Sequence, residues 1–511
     1  MNEEQTEGIR QPEVGLDAHR LGSWMLRFVA IYNVIAVVIA VAIARNWPLV
    51  HDAPLLHYVV FLMDHGRAPY REILDMNMPG TYMLEWGVMH ILGGGSVGWW
   101  CWSVITGLVT ILSCAWIAGE TKRAAGIAAG AWIYLVQLRG GAMNLGQRDW
   151  IVAVLLLVAF GCIFESIRKQ RPVWMAGFMC CCGLAASIKP PVVAIALLLL
   201  VLSCWQLPRR RARAVGWSFL GGLIPLAAIL IFLAHWGVTH DFLATLRGLV
   251  PFYAGLHQES YGHLILKLVP VVEFPLVAAG LVLFWMRRWW RDWETIFLVA
   301  GILSGAALFI IQRKGWPYHL YPELAFLLLW VMYEVRNSLD RGKLQFRFAT
   351  VILLFTVVWM VPETLYHISK SSKHSLDTVE HLESDLNSLG GAQLNGKVQC
   401  LDMTTGGCIN TLYRMNLVQS TGFIYDYYLF SSQNNDVVTR LRRRFLEEIS
   451  TRPPEVIVLS SHTWPADTFG YDQLANWPAF VQVLDKNYQL ARIYPLANQA
   501  VVPVYRIYTH K

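Results

Sequence analysis

The 511-residue chain is 55% hydrophobic and only 15% charged, with a mean hydropathy of +0.41, which excludes a protein whose main solvent is water. Its net charge of +7 lies in short loops between apolar runs. No basic patch is interleaved with aromatic residues, so nucleic acid is excluded as a partner.

Apolar segments suited to crossing about 30 Å of hydrocarbon as helix fall at 23–45, 97–118, 124–138, 150–164, 173–188, 191–207, 215–235, 269–286, 293–311, 317–334 and 348–366. Each must be helical, because lipid offers an unpaired backbone group no partner, and no alternating pattern supports a barrel. The expected fold is a polytopic α-helical membrane protein of about eleven transmembrane helices, followed by a soluble α/β domain. The first span lacks a cleavage site and stays as an anchor.

Basic residues cluster in alternate loops: Lys122 and Arg123; Arg168, Lys169 and Arg171; Arg209, Arg210, Arg211 and Arg213; Arg287, Arg288 and Arg291; Arg336, Arg341, Lys343 and Arg347. Arg10 and Arg20 precede the first span. The positive-inside rule places these loops and the tail 1–22 in the cytoplasm, and residues 367–511 outside a bacterial inner membrane. Residues 23–366 form the transmembrane domain between them. Seven of the nine cysteines lie in spans as small packing residues; Cys400 and Cys408 lie outside, where an oxidising environment permits a disulfide.

The long connections, 46–96, 139–149 and 236–268, with the short 312–316, are on the outer face, where function is expected to concentrate. In the first, 55–63 and 81–92 read as amphipathic helices along the interface, with Pro79-Gly80 as the turn between them. Beyond Lys370 strands are expected at 397–401, 455–459, 490–494 and 501–508, with helices at 437–449 and 477–487.

Several motifs stand on that outer face in order. His51-Asp52 follows the first span; then come Gly66-Arg67-Ala68-Pro69-Tyr70-Arg71-Glu72 and Asp75-Met76-Asn77-Met78-Pro79-Gly80. Gly146-Gln147-Arg148-Asp149 and Ser187-Ile188-Lys189-Pro190 follow, and Gly315-Trp316-Pro317-Tyr318-His319-Leu320-Tyr321-Pro322 opens the tenth span. Over residues 20–335 this series resembles the GT-C superfamily of membrane glycosyltransferases, in particular the family of protein O-mannosyltransferases and lipid A aminoarabinose transferases.

The resemblance implies a donor sugar carried on a polyprenyl phosphate, inversion at the anomeric carbon, and Asp52 as the base that takes the acceptor hydroxyl's proton. A lipid-borne donor also fits a site outside the inner membrane, where no nucleotide-sugar pool exists. The leaving phosphate gains charge, and Arg71, Arg148, Lys189 and His319 are the candidates to hold it. Asp149, Glu72, Asp75 and Tyr318 are candidates to orient groups or meet the acceptor, although Glu72 stands where many relatives have Asp. Arg313, Lys314 and Trp316 are further candidates on the donor side.

Plainer readings stand beside these: Asp52 as a helix cap, Lys189 snorkelling to headgroups, Asp75, Asn77 and Pro79-Gly80 holding a turn. The loop from His257 to His263 brings two histidines and Glu259 close together, which suggests a metal, but their spacing is not that of an H-E-x-x-H helix, and a polar interfacial loop collects such residues by chance. No metal or other cofactor is expected, since cationic side chains can neutralise a monophosphate. The expected partners are a lipid-linked sugar donor, membrane lipids, and a glycan, lipid or protein acceptor. The competing functions are a transporter or flippase of lipid-linked glycans, and an inactive assembly subunit.

Overall fold

A computed structural model describes residues 16–287, 292–371, 376–402, 407–433, 435–461, 470–494 and 504–511. Arg10, Arg288, Arg291 and the start of the strand expected from residue 501 lie outside the described residues. The apolar segments all become helix: α1 (Leu16–Ala44), α2 (Asp52–Asp64), α3 (Pro79–Leu92), α4 (Gly95–Arg139), α5 (Arg148–Lys169), α6 (Trp174–Ile188), α7 (Val192–Gln206) and α8 (Arg211–Trp236). Three short helices follow, α9 (Thr239–Arg247), α10 (Leu249–Gly255) and α11 (Tyr261–Lys267). After them come α12 (Phe274–Arg287), α13 (Trp293–Gln312), α14 (Tyr321–Leu339), α15 (Lys343–Phe355) and α16 (Val361–Ser371).

By length and composition, six helical stretches among the described residues can cross a membrane: α1 from Arg20, α4, α5, Pro208–Trp236, α13 and Lys343–Ser371. The apolar helices α6, α7 and α12 are shorter. α4 is a hairpin, because Gly119 adopts φ 70°, ψ −176° inside it and the Ser103 and Tyr134 hydroxyls meet at 3.0 Å. Its halves pack so closely that a Cβ on Gly126 would lie 2.4 Å from the Cys114 carbonyl oxygen. They coincide with the segments expected at 97–118 and 124–138.

α14 carries Glu323, Glu334 and Arg336 yet is buried along almost its whole length, among α4, α5, α12 and α13. A helix with this polarity belongs inside a helical bundle, not against lipid. The basic loop residues gather at one end of the bundle. Lys122 and Arg168 both pair with Glu294, at 2.9 and 2.7 Å, and Arg287 pairs with Glu334 at 2.7 Å. Arg168 and Lys169 close α5, whereas Arg148 and Asp149 open it, 22 residues away; a helix of that length separates its ends by about 30 Å. The motif residues are therefore at the end opposite the basic clusters.

Beyond α16 the chain forms α17 (Asp377–Ser388), β1 (Val398–Leu401), α18 (Cys408–Arg414), α19 (Asp436–Thr451), β2 (Val456–Ser460), α20 (Pro478–Asn487), β3 (Tyr488–Tyr494) and β4 (Tyr505–His510). The sheet order is β1-β2-β4-β3, with β1 and β2 parallel and the other pairs antiparallel. A disulfide joins Cys400 at β1 to Cys408 at α18.

α2 differs from the expected interfacial helix: Ala53 through Met63 are all buried. One side packs on α3, where His57 Nδ1 lies 2.7 Å from Glu85 Oε1. The other is covered by the sheet module, whose Gln419 amide donates to the Tyr58 hydroxyl (2.8 Å) while that hydroxyl donates to the Leu417 carbonyl (3.0 Å). α3 starts at Pro79-Gly80 and keeps one exposed apolar face, with Ile91 81% exposed. The apolar core of the sheet module is continuous with α2 and with residues 68–74. One apolar core thus lies among the spans, and the other crosses the boundary expected at residue 367 to join the sheet module to α2.

Candidate active site

Asp52 is the first residue of α2, and His51 before it adopts φ 62°, ψ −121°. A side chain in that region is strained by roughly 1–3 kcal/mol, a cost seen mainly at functional positions. The Asp52 carboxylate bonds to no helix N–H among the described residues, so it does not cap α2. His51 Nδ1 lies 3.2 Å from Oδ1, Gln147 Nε2 donates to Oδ2 (3.2 Å), and an Arg148 nitrogen stands 3.6 Å from Oδ2. Burial would raise the pKa of this carboxyl. The hydrogen bond and charge of His51, then Arg148 and Gln147, outweigh it and hold Asp52 well below the usual carboxylate range.

Arg148 and Asp149 arrive in the first turn of α5, after a turn that Gly146 makes at φ 72°. A Cβ on Gly146 would lie 1.8 Å from the Trp99 ring, so only glycine brings this motif so close to α4. Asp149 Oδ1 is 2.9 Å from Lys189 Nζ and accepts from Gln312 Nε2 (3.4 Å). Asp149 Oδ2 is 3.8 Å from His319 Nε2. Lys189 also donates to the Gln312 side-chain oxygen. Its side chain is only 18% exposed, so it is turned inward to a carboxylate and does not snorkel.

Lys189 is aimed there by a contact between two motifs. Gly80 abuts Ser187 so tightly that a Cβ would fall 1.9 Å from the Ser187 hydroxyl. Asp75 secures the turn leading to Gly80: it accepts from the Met76 amide (2.6 Å), the Asn77 side chain (2.6 Å) and the Tyr82 hydroxyl (2.7 Å). With its oxygens so engaged, Asp75 shapes the site's floor. Tyr318 stands beside His319, ring centroids 4.7 Å apart, and within electrostatic reach of Asp52 and Arg148.

Asp52, Arg148, Asp149, Lys189, His319, Tyr318 and Asp75 thus come together. Arg71 and Glu72 do not join them. Arg71 is half-exposed and bonds Asp241 Oδ2 (2.9 Å) and the Gly237 carbonyl. Glu72 accepts from the Ala68 amide (2.8 Å) and faces Arg67. Lys314 donates to the carbonyls of Tyr253 (2.8 Å), Ala254 and Leu256 at the end of α10, and burial lowers its pKa to about 8. Glu259 is occupied by Lys267 (2.7 Å) and His263 (2.9 Å). Among the described residues no group of three His, Cys, Asp or Glu side chains is placed to hold a metal ion.

Three members of the site carry no strong sequence signal. Gln312 is a neutral residue at a helix end. Tyr253 and Tyr425 lie within electrostatic reach of Asp52 and Arg148, and Tyr425 comes from the sheet module more than 370 residues after Asp52 in the sequence. The dense run Tyr425-Asp426-Tyr427-Tyr428 was the one available hint.

Comparison with known proteins agrees with this architecture. The sequence model of glycosyltransferase family 87 matches residues 88–312, which include Arg148, Asp149, Lys189 and Gln312 and begin after Asp52. ArnT from Cupriavidus metallidurans bound to undecaprenyl phosphate is similar in structure, with a TM-score of 0.55 at 12% identity over 94% of this chain and 98% of that one. An Archaeoglobus fulgidus oligosaccharyltransferase tethered to an acceptor peptide also has a TM-score of 0.55 at 12% identity, over 94% of this chain and 74% of that one. At these identities the likeness concerns the fold alone, which this chain shares with these two transferases. No curated protein matches the sequence.

Proposed function

We propose that this chain, built on the GT-C fold, is an inverting glycosyltransferase that moves a sugar from a polyprenyl phosphate to an acceptor outside a bacterial inner membrane. The observation that carries the reading is the Asp52 carboxylate held between His51, Gln147 and Arg148, at the end of the bundle opposite its basic loops. The family match and the likeness to a protein holding undecaprenyl phosphate support it.

In this reading the acceptor hydroxyl gives its proton to Asp52 as its oxygen attacks C1 of the sugar, and the bond from C1 to the polyprenyl phosphate breaks. Arg148 is too far from Asp52 for a tight hydrogen bond, at 3.6 Å, and is free to turn toward the phosphate as it gains charge. Lys189 is the second cation, with Asp149 and Gln312 setting its position. The tyrosines from α10, the α14 entrance and the sheet module wall the sugar. No metal enters the scheme.

The test is transfer by purified protein in nanodiscs, from a panel of radiolabelled polyprenyl-phosphate sugars to envelope extract. Asp52→Asn is expected to lower the rate about 10²–10⁴-fold with unchanged thermal unfolding, and chelator to leave the wild-type rate intact. Full activity of Asp52→Asn would move the base elsewhere, first to Asp149. Absence of transfer from every donor, where control enzymes work, would favour a transporter or an inactive subunit.

A further inference from the structure

A cavity of about 780 Å³ lies where the end of α1, the start of α4 and α18 of the sheet module meet. None of its lining residues belongs to the Asp52 cluster, and none is a carboxylate. Its polar side is cationic. Arg45 and Arg414 both line it; Arg414 is shared with Glu383 at 3.0 Å, while Arg45 has no ion pair among the described residues.

The first turn of α4, Gly95 to Val97, forms another part of the wall, and its N-cap Gly94 supplies no side-chain cap. The Tyr413 hydroxyl meets the Gly95 N–H; the N–H groups that follow it in this first turn, backed by the dipole of the long first half of α4, favour an anion. A further donor is unspent nearby: the indole nitrogen of Trp47 is buried without a hydrogen-bond partner, on a residue that lines the cavity and is 3% exposed.

The other side is apolar, and the two helices that flank it carry exposed apolar side chains. Val97 and Trp100 line the cavity. Beyond them α1 presents Val38, 63% exposed, and α4 presents Leu108, 55% exposed. A free inorganic anion would use only the cationic half of such a space, whereas a charged headgroup with a hydrocarbon tail would use both.

We infer that this cavity binds the phosphate headgroup of a lipid, seated between Arg45, Arg414 and the start of α4, with its tail running down α1 and α4. The site goes beyond the proposed transfer reaction and stands whether or not that reading holds. The phosphate could come from a bilayer phospholipid or from a polyprenyl phosphate, and the experiment separates them.

The full chain in detergent is titrated with phosphatidylglycerol or undecaprenyl phosphate, and bound lipid is counted by native mass spectrometry. Every protein carries Arg148→Ala and Lys189→Ala, which remove both cations of the proposed donor-phosphate site from the count. At least one of the two lipids is expected to bind, and to weaken at least tenfold in Arg45→Gln/Arg414→Gln. Val97→Trp, which fills the apolar side without touching charge, is a second variant expected to weaken it, and thermal unfolding checks both folds. Loss confined to phosphatidylglycerol identifies a bilayer lipid; loss confined to undecaprenyl phosphate identifies the carrier lipid; loss of both shows a site that reads phosphate and tail alone. Equal binding by the parent protein and both variants, or equal binding of diacylglycerol, would overturn the site.

Discussion

His51 holds a backbone conformation that costs roughly 1–3 kcal/mol, and it spends that cost beside the one carboxylate proposed to take a proton. The linkage has a definite sign. The pKa of Asp52 is depressed in the folded protein, so the stability it contributes is present above the ordinary carboxylate pKa and is lost as pH falls through the lower folded value. A base in this state stays ionised through mild acid. His51→Gly removes the hydrogen bond and charge that depress Asp52 and also relieves the strained backbone. The acid limb of kcat/KM is therefore expected to move to higher pH, with thermal stability no lower than wild type; an unmoved limb would mean that His51 does not tune Asp52. At this scale the sequence was informative where a charge is rare. Lys189 stood out because an ionisable group between two apolar runs needs a reason, and Arg148 and Asp149 stood out through the Gly146-to-Asp149 motif. Arg71 stood out equally, but its partner Asp241 lies 170 positions away on α9, and nothing local announces that pairing.

Among elements, the spacing of motifs hid how they touch. Pro79-Gly80 reads as a turn from sequence, yet it is the start of α3, and its glycine is the contact that lets the Ser187-Ile188-Lys189-Pro190 segment approach. Gly80→Ala puts a methyl into the Ser187 side chain and backbone, and overpacking of this kind costs about 1–3 kcal/mol. Because the displaced segment carries Lys189, transfer is expected to fall at least tenfold, whereas Gly87→Ala on the same helix, with nothing within 4 Å of its added carbon, is expected to be neutral. Equal activity of the two would show that the Gly80 contact does not position Lys189. The helices themselves were legible because lipid demands long apolar runs. α2 was not, since its His57 finds Glu85 across to α3 and its Tyr58 finds the sheet module; both partners are distant in sequence, and a periodicity argument sees only one face and one solvent.

For the whole molecule, the consequence is that the sheet module and the first outer loop fold as one body. The strands of the module and its helices α19 and α20 were legible from the sequence pattern, α17 and α18 were not, and the docking was hidden because it is carried by a few long-range bonds. The Leu74 amide donates to the Gly422 carbonyl (2.8 Å), the Arg444 side chain to the Arg71 carbonyl (2.7 Å), and the Asn410 side chain to the Leu49 carbonyl (3.0 Å). Tyr58 is the most enclosed of these links, with a hydroxyl that is completely buried between Leu417 and Gln419. Tyr58→Phe leaves the Leu417 carbonyl and the Gln419 amide without their partner, which costs about 1–3 kcal/mol for each buried group left unsatisfied. Because α2 begins at Asp52, loosening its far side should also loosen the proposed base. Tyr58→Phe is expected to lower the unfolding temperature and to reduce transfer, although its own hydroxyl lies outside the Asp52 cluster. Truncation after residue 371 is expected to do more: it exposes the whole face of α2, and the remaining helices should neither purify as a monodisperse protein nor transfer sugar. A truncated chain that folds and stays active would show that the two parts are separable after all, and that α2 holds Asp52 in place by its contacts with α3 alone.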